Sequence, residues 1–447
     1  MDNGKCILNY SFKAIYFVGS LNKNINLINS YCKNKIKEII IDGNIQTEIN
    51  NVYNLKYGEH TVYILLDMNS LPPNMFYGCQ DMKEIYFSSL FNNIEIQSMN
   101  NMFDNCKSLT SIDFTNFKIK KVTSLENMFN GCSSLKDINI SNIDISKVKS
   151  MIRMFSGCKE LEMIVFPSIK TKDLRNIDEM FYDCSSLKSL DLSNFDTKNI
   201  TSLTKLFNGC KSLTSLNISN FDTTNVIYMD YMFKECYSLI SLDLSNFDTN
   251  NLENMNGIFS SCSKLKSINL PSFKTNKLHD LREIFLNCPS LISLDLSKFN
   301  TENVVSMSNM FSGCSSLISI DLSSFNTSKV NEMGGLFSGC SSLTSLNLSN
   351  FNTQNIWIMN NMFKGCSSLT SIDLSNFIFN NPIILVNNMF CGCQKLAYID
   401  ISYFSLPSNS TLFDKNIPSK GKIIVKDKDV ENKIRSEIPD WDIECKS

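Results

Sequence analysis

The sequence predicts an α/β repeat solenoid: a right-handed coil with a parallel β-sheet on its concave face, short helical or 3₁₀ turns opposite, and a cap at each end. Three observations predict it. A cysteine returns in fixed register, a leucine-spaced strand follows each cysteine, and two columns of phenylalanine keep the same step. Cys106, Cys132, Cys158, Cys184, Cys210, Cys236, Cys262, Cys288, Cys314, Cys340 and Cys366 are each 26 residues apart, and Cys79 and Cys393 extend the series by steps of 27. A fixed period of this size marks stacked supersecondary units that bury their apolar side only against neighbouring coils.

With cysteine as position 1, the unit from Cys314 to Gly339 reads CSSLISIDLSSFNTSKVNEMGGLFSG. Position 4 is leucine in every unit from Leu109 to Leu369, and positions 7 and 9 are aliphatic or Phe, as in Leu242 and Leu244. That spacing is a short parallel strand. Position 12 is Phe in most units, among them Phe117, Phe195, Phe247, Phe273 and Phe351. Position 24 is Phe from Phe129 to Phe363 and, one residue late, at Phe390. Positions 17, 20 and 23 are apolar, as in Val304, Met307 and Met310, at the i, i+3, i+6 spacing of a helical or 3₁₀ turn. About twelve to thirteen coils follow from this count.

The ends depart from the period, as solenoid caps must if the last coil is not to show its core to water. Residues 1–70 are expected to form a β-rich cap with strands over Lys37–Asp42 and His60–Leu66. Residues 71–410 are the coils, and 411–447 a strand and helix cap closed by Trp441. Ala14 to Val18 reads as a strand rather than as the core of a leader, and no anchor signal is expected.

The unit resembles the BspA-like leucine-rich repeat, whose M-F-x-G-C-S-S-L-T-S-L-D-L-S-N-F-D-T pattern is shared by residues 79 to about 404. The resemblance implies a leucine-rich-repeat coil and a non-enzymatic role at a cell surface, often in adhesion. The missing export signal departs from it and points instead to the cytoplasm, so location stays open.

Bulk properties set the classes to exclude. The chain has 447 residues, 42 basic against 44 acidic side chains and a net charge of -2, a balance that indicates neither nucleic acid nor an anionic membrane as partner. No apolar run reaches the roughly 18 residues of a bilayer-spanning helix, so membrane insertion is not expected. The 17 cysteines suggest disulfides at first sight. Stacked equivalents, however, point the same way rather than at one another, which suits packing as small apolar side chains. Cys391 and Cys393 form the one close pair, a candidate redox exception. No metal site, cofactor or catalytic residue is expected: His60 and His279 are far apart, and no phosphate loop or nucleophile motif is present.

Two sets of residues remain as candidates. Position 8 places Asp191, Asn217, Asp243, Asn269, Asp295, Asp321, Asn347 and Asp373 in a polar ladder on the concave face, where interposed Asn relieves repulsion between carboxylates. Such a ladder is either a ligand-binding face for a protein, a glycan or a cation such as Ca²⁺, or a solvated face kept polar for solubility. Asn and Thr at positions 11, 14 and 16, such as Asn246, Thr249 and Asn251, read as turn formers. Tyr228, Tyr231, Tyr237 and Trp357 place aromatic rings where other coils are small or polar. They are either interface anchors or local packing variations. The expected function is therefore a non-enzymatic binding or adhesion protein. An intracellular scaffold or regulatory protein is the rival, and an enzyme on the acidic face or caps is the third reading.

Overall fold

The computed structural model describes residues 11–20, 22–67, 71–89, 92–270, 275–380, 384–407 and 409–446. Cys6 and Phe273 lie outside them. The chain divides into two compact units, Met1–Phe221 and Asp222–Ser447.

The first unit opens with β1 (Phe12–Val18), β2 (Lys23–Asn26), β3 (Ile36–Ile41), β4 (Asn44–Ile45), β5 (Val52–Leu55) and β6 (Gly58–Leu66). β7 (Met82–Phe87), β8 (Asn92–Glu95), β9 (Ser111–Asp113) and β10 (Lys118–Lys120) follow. Its main sheet runs β4-β3-β6-β1-β7-β9. β1 alternates buried and half-buried residues and is antiparallel to both β6 and β7, whereas β7 is parallel to β9 with Ile85 opposite Ile112. The antiparallel sheet of the amino terminus thus passes directly into the parallel stacking of the coils. β11 (Asp137–Asn139), β12 (Met163–Val165), β13 (Ser189–Asp191) and β14 (Ser215–Asn217) are one-coil rungs that pair in parallel two by two.

The second unit carries β15 (Ser241–Asp243), β16 (Ser267–Asn269), β17 (Ser371–Asp373), β18 (Tyr398–Ile401), β19 (Lys422–Val425), α1 (Lys428–Glu437) and β20 (Asp442–Cys445). β17, β18, β19 and β20 form one parallel sheet. Asp427 caps α1 by accepting from the Val430 N–H, the local signal that starts the helix there.

Two expectations are corrected. The side opposite the strands is not helical. Among the described residues, helix is confined to α1, a 3₁₀ segment, Ser30–Lys35, and 3₁₀ backbone at Ser89, none of them on that side of a 26-residue coil. The reason lies at positions 22 and 26, which take positive φ in coil after coil: 53° at Asn127 and 70° at Gly131, 60° at Glu283 and 54° at Asn287. A left-handed residue reverses the facing of the next peptide, so the chain makes one 3-residue turn and then bonds to the following coil instead of winding on. Met128 N–H donates to Leu125 O (3.3 Å) and Asn130 N–H to Asn127 O (3.1 Å) within the coil. Leu125, Asn127, Phe129 and Gly131 N–H donate to Ser150, Ile152, Met154 and Ser156 O of the next coil at 3.0, 2.9, 2.9 and 2.7 Å.

Nor is the parallel sheet continuous. Residues 291–296, 317–322 and 343–348 form no paired strand. The Thr344 N–H to Ile318 O bond is stretched to 3.4 Å, where Lys266 to Ile240 spans 2.8 Å. The spacing of these coils follows the turn-side bonds and the stacked rings, and the three-residue rungs are too short to reset it.

The phenylalanine columns are the core of each unit. In the first, Phe76, Phe103, Phe129, Phe155, Phe181 and Phe207 stack with centroids 5.4–5.9 Å apart. In the second, Phe285, Phe311 and Phe337 stack at 5.9 and 5.7 Å, and Phe363, Phe390 and Phe413 at 5.8 and 5.4 Å. Phe413 then meets the buried Trp441, and Trp441 covers Gly421, where an added Cβ would fall 2.7 Å from the indole. Phe311→Ala is expected to cost roughly 3–5 kcal/mol, whereas the exposed Ser319→Ala should stay within about 0.5 kcal/mol. Urea unfolding followed by far-UV circular dichroism separates the two.

Candidate functional site

The strand face is built from alternation. Leu at position 4 and the aliphatic residues at 7 and 9 turn inward, and positions 6 and 8 turn to solvent. All eight ladder residues named above are exposed. Asp191 and Asn217 lie in the first unit, and Asp243, Asn269, Asp295, Asp321, Asn347 and Asp373 in the second.

The structure gives the ladder a second task that sequence reasoning missed. Oδ1 of Asp191, Asp243, Asp295, Asp321, Asn347 and Asp373 accepts the backbone N–H two residues on, at Ser193, Ser245, Ser297, Ser323, Ser349 and Ser375, all within 2.9–3.0 Å. Each side chain therefore closes the turn that ends its rung. The recurring Asp-x-Ser spacing could have revealed this. In two places an Asn amide also ties the rungs: Asn217 Nδ2 donates to Asp191 Oδ1 (3.0 Å) and Asn269 Nδ2 to Asp243 Oδ1 (2.9 Å). The Ser193 and Ser245 amides hold the carboxyls of Asp191 and Asp243 below the ordinary range, and the Asn amides add to this.

The position 14 threonines are more than turn formers. Thr301 and Thr327 are buried. Thr301 Oγ1 donates to Asn326 O (2.9 Å) and accepts Asn326 N–H (2.7 Å), and Thr327 does the same with Asn352 at 2.9 and 2.7 Å. A hydroxyl both gives and takes here, so each buried oxygen is satisfied by the next coil.

The aromatic candidates separate. Tyr228, Tyr237 and Trp357 are exposed. Tyr231 sits at φ 56° with its ring over Gly257, where an added Cβ would lie 2.6 Å from the ring, and Lys234 Nζ stands 5.1 Å from the ring centroid. Tyr228 at position 19 and Trp357 at position 18 fall on the turn side of their coils, the ladder on the strand side. The fold does not gather the two candidate sets into one site.

The cysteine column is packing. Sixteen cysteines fall within the described residues, all free. Cys314, Cys340 and Cys366 donate S–H to the carbonyls of Phe285, Phe311 and Phe337 at 3.2 Å each. Burial pushes the Cys288 thiol up to about 12. Cys391 and Cys393 are both buried and turn to different carbonyls, Leu412 at 3.8 Å and Phe363 at 3.1 Å. Both ring nitrogens of His60 are engaged, Nδ1 with Asp42 Oδ2 (2.7 Å) and Nε2 with Lys56 O (2.9 Å). Among the described residues no group of His, Cys, Asp and Glu could hold a metal ion, and no helix is long and apolar enough to cross a membrane.

A repeated leucine-spaced rung, stacked coil on coil within each unit and closed in most coils by an Asx turn, defines a leucine-rich repeat solenoid. The chain belongs to the family described as "Mycoplasma protein of unknown function, DUF285", which matches residues 72–190, 175–293 and 279–404. No curated protein matches the chain. Among solved structures it is similar to a leucine rich cell surface protein from Faecalibacterium prausnitzii, at 22% identity over 70% of this chain and 83% of that one, TM-score 0.37. It is also similar to a leucine rich repeat protein of T. pallidum (20% identity, 46% and 77% of the two chains, TM-score 0.26) and to the pneumococcal vaccine antigen PcpA (14% identity, 76% and 78%, TM-score 0.30). At these TM-scores the likenesses carry no argument. The class rests on the coils themselves and the family on its own match.

Two outcomes test this account. Iodoacetamide should label Cys445, the half-buried one, but none of the buried column in the native chain, and all of them in urea; mass spectrometry locates the adducts. A carboxyl held low in the folded state contributes stability above its ordinary pKa, about 3.9, and loses it as pH falls through the lower folded value. The melting temperature should therefore fall with pH below about 4. Asp191→Asn, which keeps the acceptor but not the proton, should flatten that fall.

Proposed function

We propose that the chain is a non-enzymatic binding protein that presents the Ser, Asp and Asn rungs of its strand face to protein or glycan partners. The observation that carries this reading is the ladder itself. Its side chains are exposed yet held by backbone bonds, so a partner would meet a preorganised row and spend little on ordering it. Many similar rungs offer weak, equivalent contacts that add through multivalency. Every rung resembles its neighbours, whereas an active site needs one distinctive constellation.

In this reading the coil is right-handed, as connections between parallel strands overwhelmingly are, and residues 1–70 and 411–447 cap the coils of 71–410. Tyr228 and Trp357 would serve further contacts on the turn side of their own coils, and Tyr237, at position 2, would stand apart from them. The resemblance to BspA-like arrays favours display at a cell surface and adhesion. The free, reduced column fits an intracellular scaffold equally well.

The test is the full chain and its Asp191→Lys, Asp243→Lys, Asp373→Lys variant on arrays of glycans and of extracellular and cytoplasmic proteins. Binding by the parent that drops at least tenfold in the variant, with circular dichroism unchanged, is the expected result. Equal binding by the two would remove the ladder from the contact. Antibody labelling of cells before and after permeabilisation then separates surface from interior.

A further inference from the structure

Two consecutive coils of the second unit combine a doubled carboxylate with exposed aliphatic side chains. Asp295 and Asp321 occupy position 8 in neighbouring coils with no Asn between them, as Asp373 and Asp400 also do. In two other places an Asn amide bonds to the preceding carboxylate, Asn217 to Asp191 and Asn269 to Asp243. Here the neighbour is a second carboxylate, and Asp295 acts on Asp321 as a like charge. Both nonetheless stay ionised, because the Ser297 and Ser323 amides point at them (2.9 Å each). Lys298 lies near enough to act on Asp295 through space, and among the described residues no cation forms an ion pair with Asp321.

The same two coils also carry isoleucine at position 5, on the exposed approach to the rung. Ile292 is 49% exposed and Ile318 53% exposed, where the next two coils have Thr344 and Thr370. Each coil thus pairs an unburied aliphatic side chain with a carboxylate three residues on, and the pair repeats one coil away.

We propose that the strand face of the coils beginning at Cys288 and Cys314 docks a polypeptide segment of a partner protein in which lysine or arginine stands beside large aliphatic side chains. The inference rests on the binding reading above and names the partner class. The charge is complementary: two adjacent carboxylates call for cations. A lysine or arginine can lay its methylene stem on Ile292 or Ile318 while its head reaches the carboxylate. A leucine or valine beside it covers the rest of the isoleucine. An aliphatic side chain offers a sugar neither a ring face nor a hydrogen bond, which sets a glycan aside at this place.

The probe is a fluorescein-labelled peptide of alternating lysine and leucine, titrated with the full chain and followed by anisotropy. Controls replace every lysine by glutamate or every leucine by serine. Both controls should bind at least tenfold more weakly than the parent peptide, and its affinity should fall as salt rises. Asp295→Asn with Asp321→Asn, and separately Ile292→Ser with Ile318→Ser, should each weaken the parent peptide at least tenfold. Thr344→Ser with Thr370→Ser should leave it unchanged. All these positions are exposed, and circular dichroism checks that the fold is kept. Affinity of either paired variant equal to that of the unmodified chain, or of the glutamate peptide equal to that of the parent peptide, overturns the proposal. If the peptide fails while ladder-dependent binding persists on the arrays, only this partner class falls. If a glycan binds and the Asp295 and Asp321 variant abolishes it, the face takes a sugar and the proposal is wrong.

Discussion

The structure depends on one backbone constraint, the left-handed residue at positions 22 and 26 of each coil. It turns alternate peptides along the stacking direction, so that four N–H groups per coil face the next coil and four carbonyls face the previous one. Most of these sites carry a side chain: Arg153, Glu179, Lys205 and Glu283 all sit at φ between 51° and 60°. A residue held there costs on the order of 1–3 kcal/mol. The cost persists because each coil gains several inter-coil hydrogen bonds, worth about 0.5–1.5 kcal/mol each, and places its Phe ring on the next.

That polarity decides what the ends must supply. The first coil presents carbonyls and needs a donor, and Asn29 N–H reaches Met75 O at 2.8 Å. The last presents N–H groups and needs acceptors. Gly392 N–H goes to Asp414 Oδ1 (2.9 Å), and Leu412 and Phe413 N–H go to Glu437 Oε2 (2.8 and 3.0 Å). The carboxylates stand where the aligned peptides leave partial positive charge, as they would at a helix amino terminus. The C-terminal helix therefore does more than cover apolar surface, since it carries Glu437 to the open end of the turn column.

The strand side is the less constrained of the two. Turn-side bonds and stacked rings set the distance between coils, and three-residue rungs follow, pairing in some places and not in others. Side chains at positions 5, 6 and 8 can change without disturbing the core. This is why Met163 and Val165 could replace Ser and Asp in one coil of the first unit, and why the Ile292 and Ile318 coils could acquire a character of their own.

The sequence by itself determined the period, the inward leucines and phenylalanines, the burial of the cysteines and the polar rungs, because each follows from side-chain type at a repeated position. Even the strand at Lys422 and the helix from Lys428 were legible, from an aliphatic run and from Asp427 standing where a cap is needed. Spacing by three at Val304, Met307 and Met310 could not separate a helix from a turn ladder. Both bury the same side chains, and the choice lies in the φ of Asn309 and Gly313, which only stacking against the next coil makes affordable. Nor could the ladder's Asp and Asn be read as turn closers before Oδ1 was seen on the serine amide. Tertiary structure alone decided that Tyr231 lies over Gly257 while Tyr228 and Trp357 stay open, since a ring's freedom depends on the residue opposite it in the neighbouring coil.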